Sequence, residues 1–573
     1  VNILFVMQSP EYFRFYDTTI RELAARGHAI GIAVNKQNEA KPVRVEDLGD
    51  AGRITALGVI PRRDDRWRMP GRRLRGVVDF TRYLHPRLAE ARALRERMKH
   101  KVLPAGFRWL DRMAHLPPAR LTRLLRRLRA LEQAIPSSPV IEQFIRDFGA
   151  DVVLVTPLID AASDQVEVVK SAQRLGIPVG ACIASWDNLT NKGLLRLVPD
   201  AVFVWNDAQK QEALEYHDVP ADQVVATGAQ VFDKWFDRHA GPRDVFCERV
   251  GLPAGKPYLL YTCSSSFISL SHAELEFVRG WIAAVRSDPA LADHAILIRP
   301  HPYNGAAWAE ADLSAWPDVA VWPRGPYNPL ADEHQHAFFD SLFHSAAVVG
   351  INTSAMIEAA IIGRPVLSFV ADRFTGTQEG TLHFHYLLPE NGGFLRMAQS
   401  VPAHVAQLRD VVADPDLVRR QTRQFVGSFI RPRGVAQPAT PLLADAIEAL
   451  AARGPAASRV AASTGTGLAA RRALLLMASA WAYVCTLLTD PDAARKLRKE
   501  AASRVRKGGK ALSRAPRQLR KRVMPARKPA HVARTGNAAT AARSTTAAKP
   551  GKPGKPAKAS ASAPSRKAAR DVR

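Results

Sequence analysis

The chain has little cysteine: Cys182, Cys247, Cys263 and Cys485 are all there is in 573 residues. No two of them stand at zinc-ligand spacing, which argues against a disulfide framework or a structural zinc and fits a reducing compartment. No Gly-x-Gly-x-x-Gly follows the first apolar run. The residues there are Gln8-Ser9-Pro10-Glu11-Tyr12-Phe13, so the dinucleotide fingerprint is missing. A Walker A sequence is also absent, and no His/Cys cluster has metal-ligand spacing, so no metal is expected. The Asp-Pro-Asp triplets at 414–416 and 490–492 fall where helices would begin and read as N-caps. The longest uncharged apolar run, 473–488, has sixteen residues and falls short of the ~18–20 that span a bilayer comfortably. No basic segment or small-residue cleavage site precedes the apolar residues 2–7, so a secretory signal is not expected. Acidic residues are scarce only at the end: from 454 onward there are 28 Lys/Arg against 4 Asp/Glu. The preceding residues carry a net charge of only +3, so the overall +27 describes the tail more than the body.

What is present is a body of ordinary globular composition, 47% hydrophobic and 24% charged, long enough for at least two cores. Ile3-Leu4-Phe5-Val6 is a continuous apolar run suited to a parallel strand covered on both faces. A helix over 18–26, ended by Gly27, and a strand over 30–34 follow. The alternation resumes with strands at 152–155, 179–183 and 201–205 and helices at 163–175 and from Asp207. A second alternating block has strands at 258–261, 295–299, 319–322, 347–350 and 366–369. Its helices lie at 272–286 and 354–362, then near 402–413, 415–426 and 439–452. Strands alternating with helices predict parallel sheets. The expected organisation is an α/β chain with two Rossmann-like domains, 1–235 and 256–430, joined near 230–255. A closing helix over 431–453 and a basic tail over 454–573 complete it. The far end is rich in Ala, Lys, Pro and Ser and is expected to be disordered.

The second block carries three anion-friendly loops at successive strand ends, where ligands bind in open parallel sheets. Arg299-Pro300-His301-Pro302 places a cation and an imidazole on a proline-stiffened loop. Gly350-Ile351-Asn352-Thr353-Ser354 leads into a helix whose start favours an anion, with Glu358 one turn further in. Ser264 and Ser265 follow the block's first strand.

Arg-x-His-Pro after one strand, and Thr-Ser-x-x-x-Glu-Ala followed by Gly363-Arg364-Pro365-Val366, resemble the GT-B glycosyltransferase superfamily. Within it the pattern is similar to bacterial surface-polysaccharide enzymes: CDP-glycerol glycerophosphotransferases, polysialyltransferases and capsule Kdo transferases. UDP-N-acetylglucosamine 2-epimerases share the fold. The resemblance implies that Arg299 and His301 contact the donor phosphate and that Thr353 and Ser354 hold phosphate at the helix start. It implies that Glu358 reaches the ribose or sugar, and that no cofactor is needed beyond a CMP-, CDP- or UDP-type donor.

The first block is then expected to hold the acceptor and a catalytic base. Candidates at strand ends are Asp187, Glu11 and Asp160, with Asp164 also considered. Asp187 lies in the densest polar loop of this half, 185–193, beside Trp186, which could stack on a sugar. Residues 62–135 form an excursion with 21 Lys/Arg against 7 Asp/Glu, interleaved with Trp67, Met69, Phe80, Tyr83, Leu84, Phe107, Trp109 and Leu110. Such a mixture suits an anionic membrane surface, and 473–488 could dock there too. No aromatic residue follows Tyr483, so the tail lacks a base-stacking platform and nucleic acid is not an expected partner. The expected protein is a cytoplasmic enzyme at the inner membrane face. It would move a sugar or sugar-like phosphate unit from a nucleotide donor to an envelope glycan or lipid-linked acceptor. The alternatives are a nucleotide-sugar epimerase or hydrolase, and a silent α/β body whose basic tail binds membrane or nucleic acid.

Overall fold

The computed structural model describes residues 1–454 apart from 39–43, 50–51, 267, 303, 326, 330, 370–377 and 379–380, together with Arg472, Leu476, Ser479, Ala480, Arg495 and Lys499. The chain divides into two compact units, Val1–Arg498 and Lys499–Arg573, and only Lys499 of the described residues belongs to the second. Most of the apolar run 473–488, the tail and Arg373, a further phosphate contact considered from sequence, lie outside the described residues. Among the described residues no helix is long and apolar enough to cross a membrane.

Among the described residues thirteen strands form two sheets. The first contains β1 (Asn2–Met7), β2 (Ala29–Val34), β3 (Ile54–Val59), β4 (Val152–Thr156), β5 (Val179–Cys182), β6 (Ala201–Val204) and β7 (Val224–Ala226). The second contains β8 (Tyr258–Thr262), β9 (Ala295–Arg299), β10 (Val319–Val321), β11 (Ala347–Gly350), β12 (Val366–Phe369) and β13 (Arg396–Ala398). The orders are β3-β2-β1-β4-β5-β6-β7 and β10-β9-β8-β11-β12-β13, and every pairing is parallel. The central strands β4, β8 and β9 are buried along their whole length because helices cover both faces. Two doubly wound sheets facing a cleft make the GT-B architecture that the sequence resemblance implies.

In each sheet the order reverses beside its first strand, and that reversal opens a crevice at the strand ends. The second sheet's crevice lies between β8 and β11. There a Cβ on Gly350 would come within 2.9 Å of Thr262 Oγ1 and 3.1 Å of its carbonyl. Glycine lets these two strand ends approach.

The join near 230–255 is helical rather than a plain linker. It contains the helices Asp233–Asp237 and Arg243–Val250. Phe232, Trp235 and Phe246 belong to one hydrophobic core with Trp186 and Trp205 of the first half and Leu260, Met356 and Phe429 of the second. The chain returns through the helix Ala439–Ala451, whose Leu443, Ala444, Ile447 and Leu450 pack into the first half's core. The carboxylate of Asp233 accepts hydrogen bonds from the backbone N–H of Ala439 at 3.1 Å and Thr440 at 2.6 Å. It also pairs with Arg431 at 2.7 Å. One buried carboxylate thus satisfies a helix start and a buried cation together. Asp233→Asn keeps an acceptor but removes the charge, and is expected to cost about 2 kcal/mol in urea unfolding.

The basic excursion folds as the helices Arg68–Arg82, Arg92–Lys101 and Pro118–Ala134 around a core of its own. Trp67, Phe80, Tyr83, Leu84 and Leu110 are buried in that core. These side chains, expected to face lipid, therefore turn inward, because three short helices need an interior. Met69 and Trp109 remain exposed, Trp109 by 57%. Part of the basic charge is also internal. Arg82 donates to the backbone carbonyls of Leu189 at 2.6 Å and Gly193. Arg75 pairs with Glu132 at 3.1 Å, Asp164 at 2.9 Å and Glu167, and Lys170 pairs with Glu132 at 2.6 Å.

Candidate functional site

β9 ends at Arg299, so the guanidinium projects at the mouth of the second sheet's crevice. The side chain is only 3% exposed. Trp322 and Phe338 flank it, with ring centroids 4.9 and 5.0 Å from the guanidinium carbon. Nη1 donates weakly to the Ala337 carbonyl at 3.4 Å. Nε and Nη2 meet no well-aligned hydrogen-bond partner among the described residues, although the Tyr327 side chain lies near enough to favour the charge. Burial lowers this guanidinium to about 10, against the opposing pull of Tyr327, Tyr258 and Glu358, so it stays charged near neutral pH. A buried cation with unused donors is costly, and an anion arriving in the cavity would relieve that cost.

Arg299 lines a cavity of about 260 Å3 built by both halves. The first half contributes Arg14, Ser185 and Trp186, and the join contributes Lys234. The second half contributes His301, Thr353, Ser354 and Glu358. Thr353 and Ser354 precede the helix Ala355–Ile362. Thr353 Oγ1 accepts from the Ala355 N–H at 3.4 Å, and the Ser354 side chain makes no capping bond. Burial brings the His301 imidazole down to about 4, with Arg14 adding to the effect. It is therefore neutral at physiological pH and can serve as a hydrogen-bonding group without a charge. Burial pushes the Glu358 carboxyl up to about 7, although Arg14, Lys234 and Arg299 pull it down. Among the described residues Glu358 is the one carboxylate lining this cavity.

The other sequence candidates stand elsewhere. Asn352 is buried beside the crevice. Ser264 is fully buried with its N–H held by Glu274 at 2.9 Å, and the cavity wall at this strand end is formed by Thr262 and Cys263 instead. Ser265 is likewise outside the lining. Asp187 follows Trp186 but turns away. Its carboxylate accepts from the side-chain amides of Asn191 at 2.6 Å and Asn188 at 3.2 Å. The charges of His383 and Lys192 outweigh burial and hold Asp187 below the ordinary carboxylate range, which makes it a weak base. Asp160 pairs with Lys192 at 2.8 Å and lines a different hollow. Glu11 lines neither. Lys234, Tyr327 and Phe338 are among the cavity residues that carried no sequence signal as site residues. Arg14 stands three residues after Glu11 in the sequence, and nothing there marks it as a site residue. Among the described residues no group of three or more His, Cys, Asp or Glu could hold a metal ion.

No protein-family model matches the sequence, and no curated protein matches it. Solved structures do resemble the chain. The UDP-GlcNAc 2-epimerase from Neisseria meningitidis, bound to UDP-GlcNAc, is 13% identical, with 78% of this chain and 100% of that chain covered and a TM-score of 0.43. The UDP-GlcNAc 2-epimerase from Methanocaldococcus jannaschii is 11% identical, with 78% and 100% covered and a TM-score of 0.45. The wall teichoic acid polymerase TagF is 9% identical, with 79% and 89% covered and a TM-score of 0.39. Likeness at this level concerns the chain trace and assigns no activity.

Proposed function

We propose that the chain is a transferase that moves a sugar or sugar-like phosphate unit from a nucleotide-activated donor to a glycan or lipid-linked acceptor. The observation that carries this reading is the buried Arg299 guanidinium, two of whose nitrogens meet no well-aligned partner in a cavity shared by both halves. A departing nucleotide phosphate gains charge as its bond breaks, and a preorganised guanidinium at that point favours the transition state. Thr353, Ser354 and the start of the helix Ala355–Ile362 add hydroxyl and N–H donors from the same side. His301 donates a hydrogen bond to the same phosphate as a neutral imidazole. Arg14 and Lys234 bring positive charge from across the cleft. Glu358, poised near neutrality, accepts the proton of the attacking hydroxyl. Trp186 offers a face for a sugar ring.

Thermal-shift measurement against CMP, CDP, UDP and GDP tests the reading, with selective stabilisation by one nucleotide expected. No stabilisation by any of them would overturn it. In Arg299→Met the side-chain volume is kept and the charge removed. The stabilising nucleotide should then bind about 10- to 100-fold more weakly, the range for losing a hydrogen bond to a charged group. The unliganded variant should melt no lower than the wild type, because a buried cation with only one weak hydrogen bond has been replaced by an apolar side chain.

A further inference from the structure

The first sheet has a hollow of its own at the ends of β1–β4, distinct from the cleft. Its volume is about 530 Å3. Seven basic side chains line it. Arg63 is held by Asp65 and Glu167; the other six are Lys36 after β2, Arg62 after β3, Arg68, Arg72 and Arg73 on the first helix of the excursion, and Lys101 at the end of the second. None of the six has an ion-pair partner among the described residues, and Arg73 Nη1 is buried with no hydrogen bond at all. The acids in the same wall are already committed. Asp160 pairs with Lys192, Asp164 with Arg75, and Glu167 with Arg63 and Arg75.

A solvated basic face spreads its charges along one helix or loop. Here cations from four separate elements converge on one concavity, where low-dielectric walls focus their field. Desolvation, with the charges of Arg97, Lys192 and Lys36, pushes Lys101 below the ordinary lysine range despite the attraction of Asp160. The protein has gathered like charges that repel one another, and a multivalent anion would relieve that repulsion. Planar guanidinium forks mixed with lysine suit phosphate oxygens. Met69, Val102 and Ile141 in the same wall leave room for an uncharged portion.

We propose that this hollow is a second phosphate-binding site, which takes a pyrophosphate or phosphate ester carried by a molecule other than the cleft's nucleotide. The assignment does not rest on the transferase reading. The phosphate could belong to a lipid headgroup or to a soluble phosphoester.

Calorimetric titration of the full chain with inorganic pyrophosphate tests it. Binding is expected in the wild type and in Arg299→Met, weakening with added salt. In Arg62→Glu/Arg72→Glu the affinity should fall at least about tenfold. Both residues are exposed, and the milder Arg62→Gln/Arg72→Gln should give an intermediate loss if folding is unaffected. Unchanged affinity in the double variant, or loss only in Arg299→Met, overturns the proposal. A second arm uses phosphatidylcholine vesicles with and without phosphatidic acid. Vesicle binding that needs phosphatidic acid and is displaced by pyrophosphate upholds the site with a lipid headgroup. Pyrophosphate binding without vesicle binding upholds it with a soluble phosphoester.

Discussion

Glu358→Gln is expected to lower kcat by about 10²–10⁴-fold while leaving nucleotide affinity nearly unchanged, the range for removing a general base. The substitution keeps shape and hydrogen bonding but cannot accept a proton. In the wild type, kcat should rise with pH through about 7, where burial has placed this carboxyl. The variant should lose that limb. A rise in KM at constant kcat would instead make Glu358 a group that positions the sugar. Stability supplies an independent readout. The folded-state value lies above the ordinary 4.5, so stability falls as pH rises from there towards 7, where the carboxyl must ionise while buried. The unliganded Glu358→Gln protein should therefore melt higher than wild type at pH values above 7.

The largest stability effect is expected at Arg75, far from that chemistry. Arg75→Met should cost about 3–5 kcal/mol, because Glu132 and Glu167 stay buried with their main cation gone. Lys170 and Arg63 remain as partners but cannot replace a guanidinium shared by both carboxylates. Burial would raise the Glu132 carboxyl, yet Arg75 and Lys170 hold it at about 2. Its contribution is thus fully present above the ordinary 4.5 and is lost as pH falls from there towards 2. Unfolding free energy measured across that window should show a shallower slope in Arg75→Met. An unchanged slope would remove Arg75 from the account of Glu132.

The sheets were legible in sequence where their strands are buried on both faces. Ile3-Leu4-Phe5-Val6 and Ala295–Arg299 read directly as continuous apolar runs. The edge strands β3, β7 and β13 were missed because they are half-exposed and two of them have only three residues. In sequence the join reads as a linker because its apolar residues, Phe232, Trp235 and Phe246, show no long helical period. They pack across to other elements rather than along their own. The second half's share of the cavity lining was legible because Arg299, His301, Thr353 and Ser354 belong to loops that follow strongly apolar strands. The first half's share was not. A polar residue at a strand end can face the crevice or satisfy its own loop, and Asp187 and Ser264 do the latter. Arg14 and Lys234 meet Glu358 only across the cleft, a relation that no local spacing encodes.

The two passages between the halves run side by side. The outgoing chain is bonded to the returning one where the Ala229 N–H donates to the Ile430 carbonyl at 2.9 Å, and Asn206 Nδ2 reaches the Phe429 carbonyl at 2.7 Å. Asp233 then fastens Arg431 and the start of the last helix to the same spot. The outgoing and returning passages are thus tied into one seam, so the two halves share a single joint rather than two separate tethers.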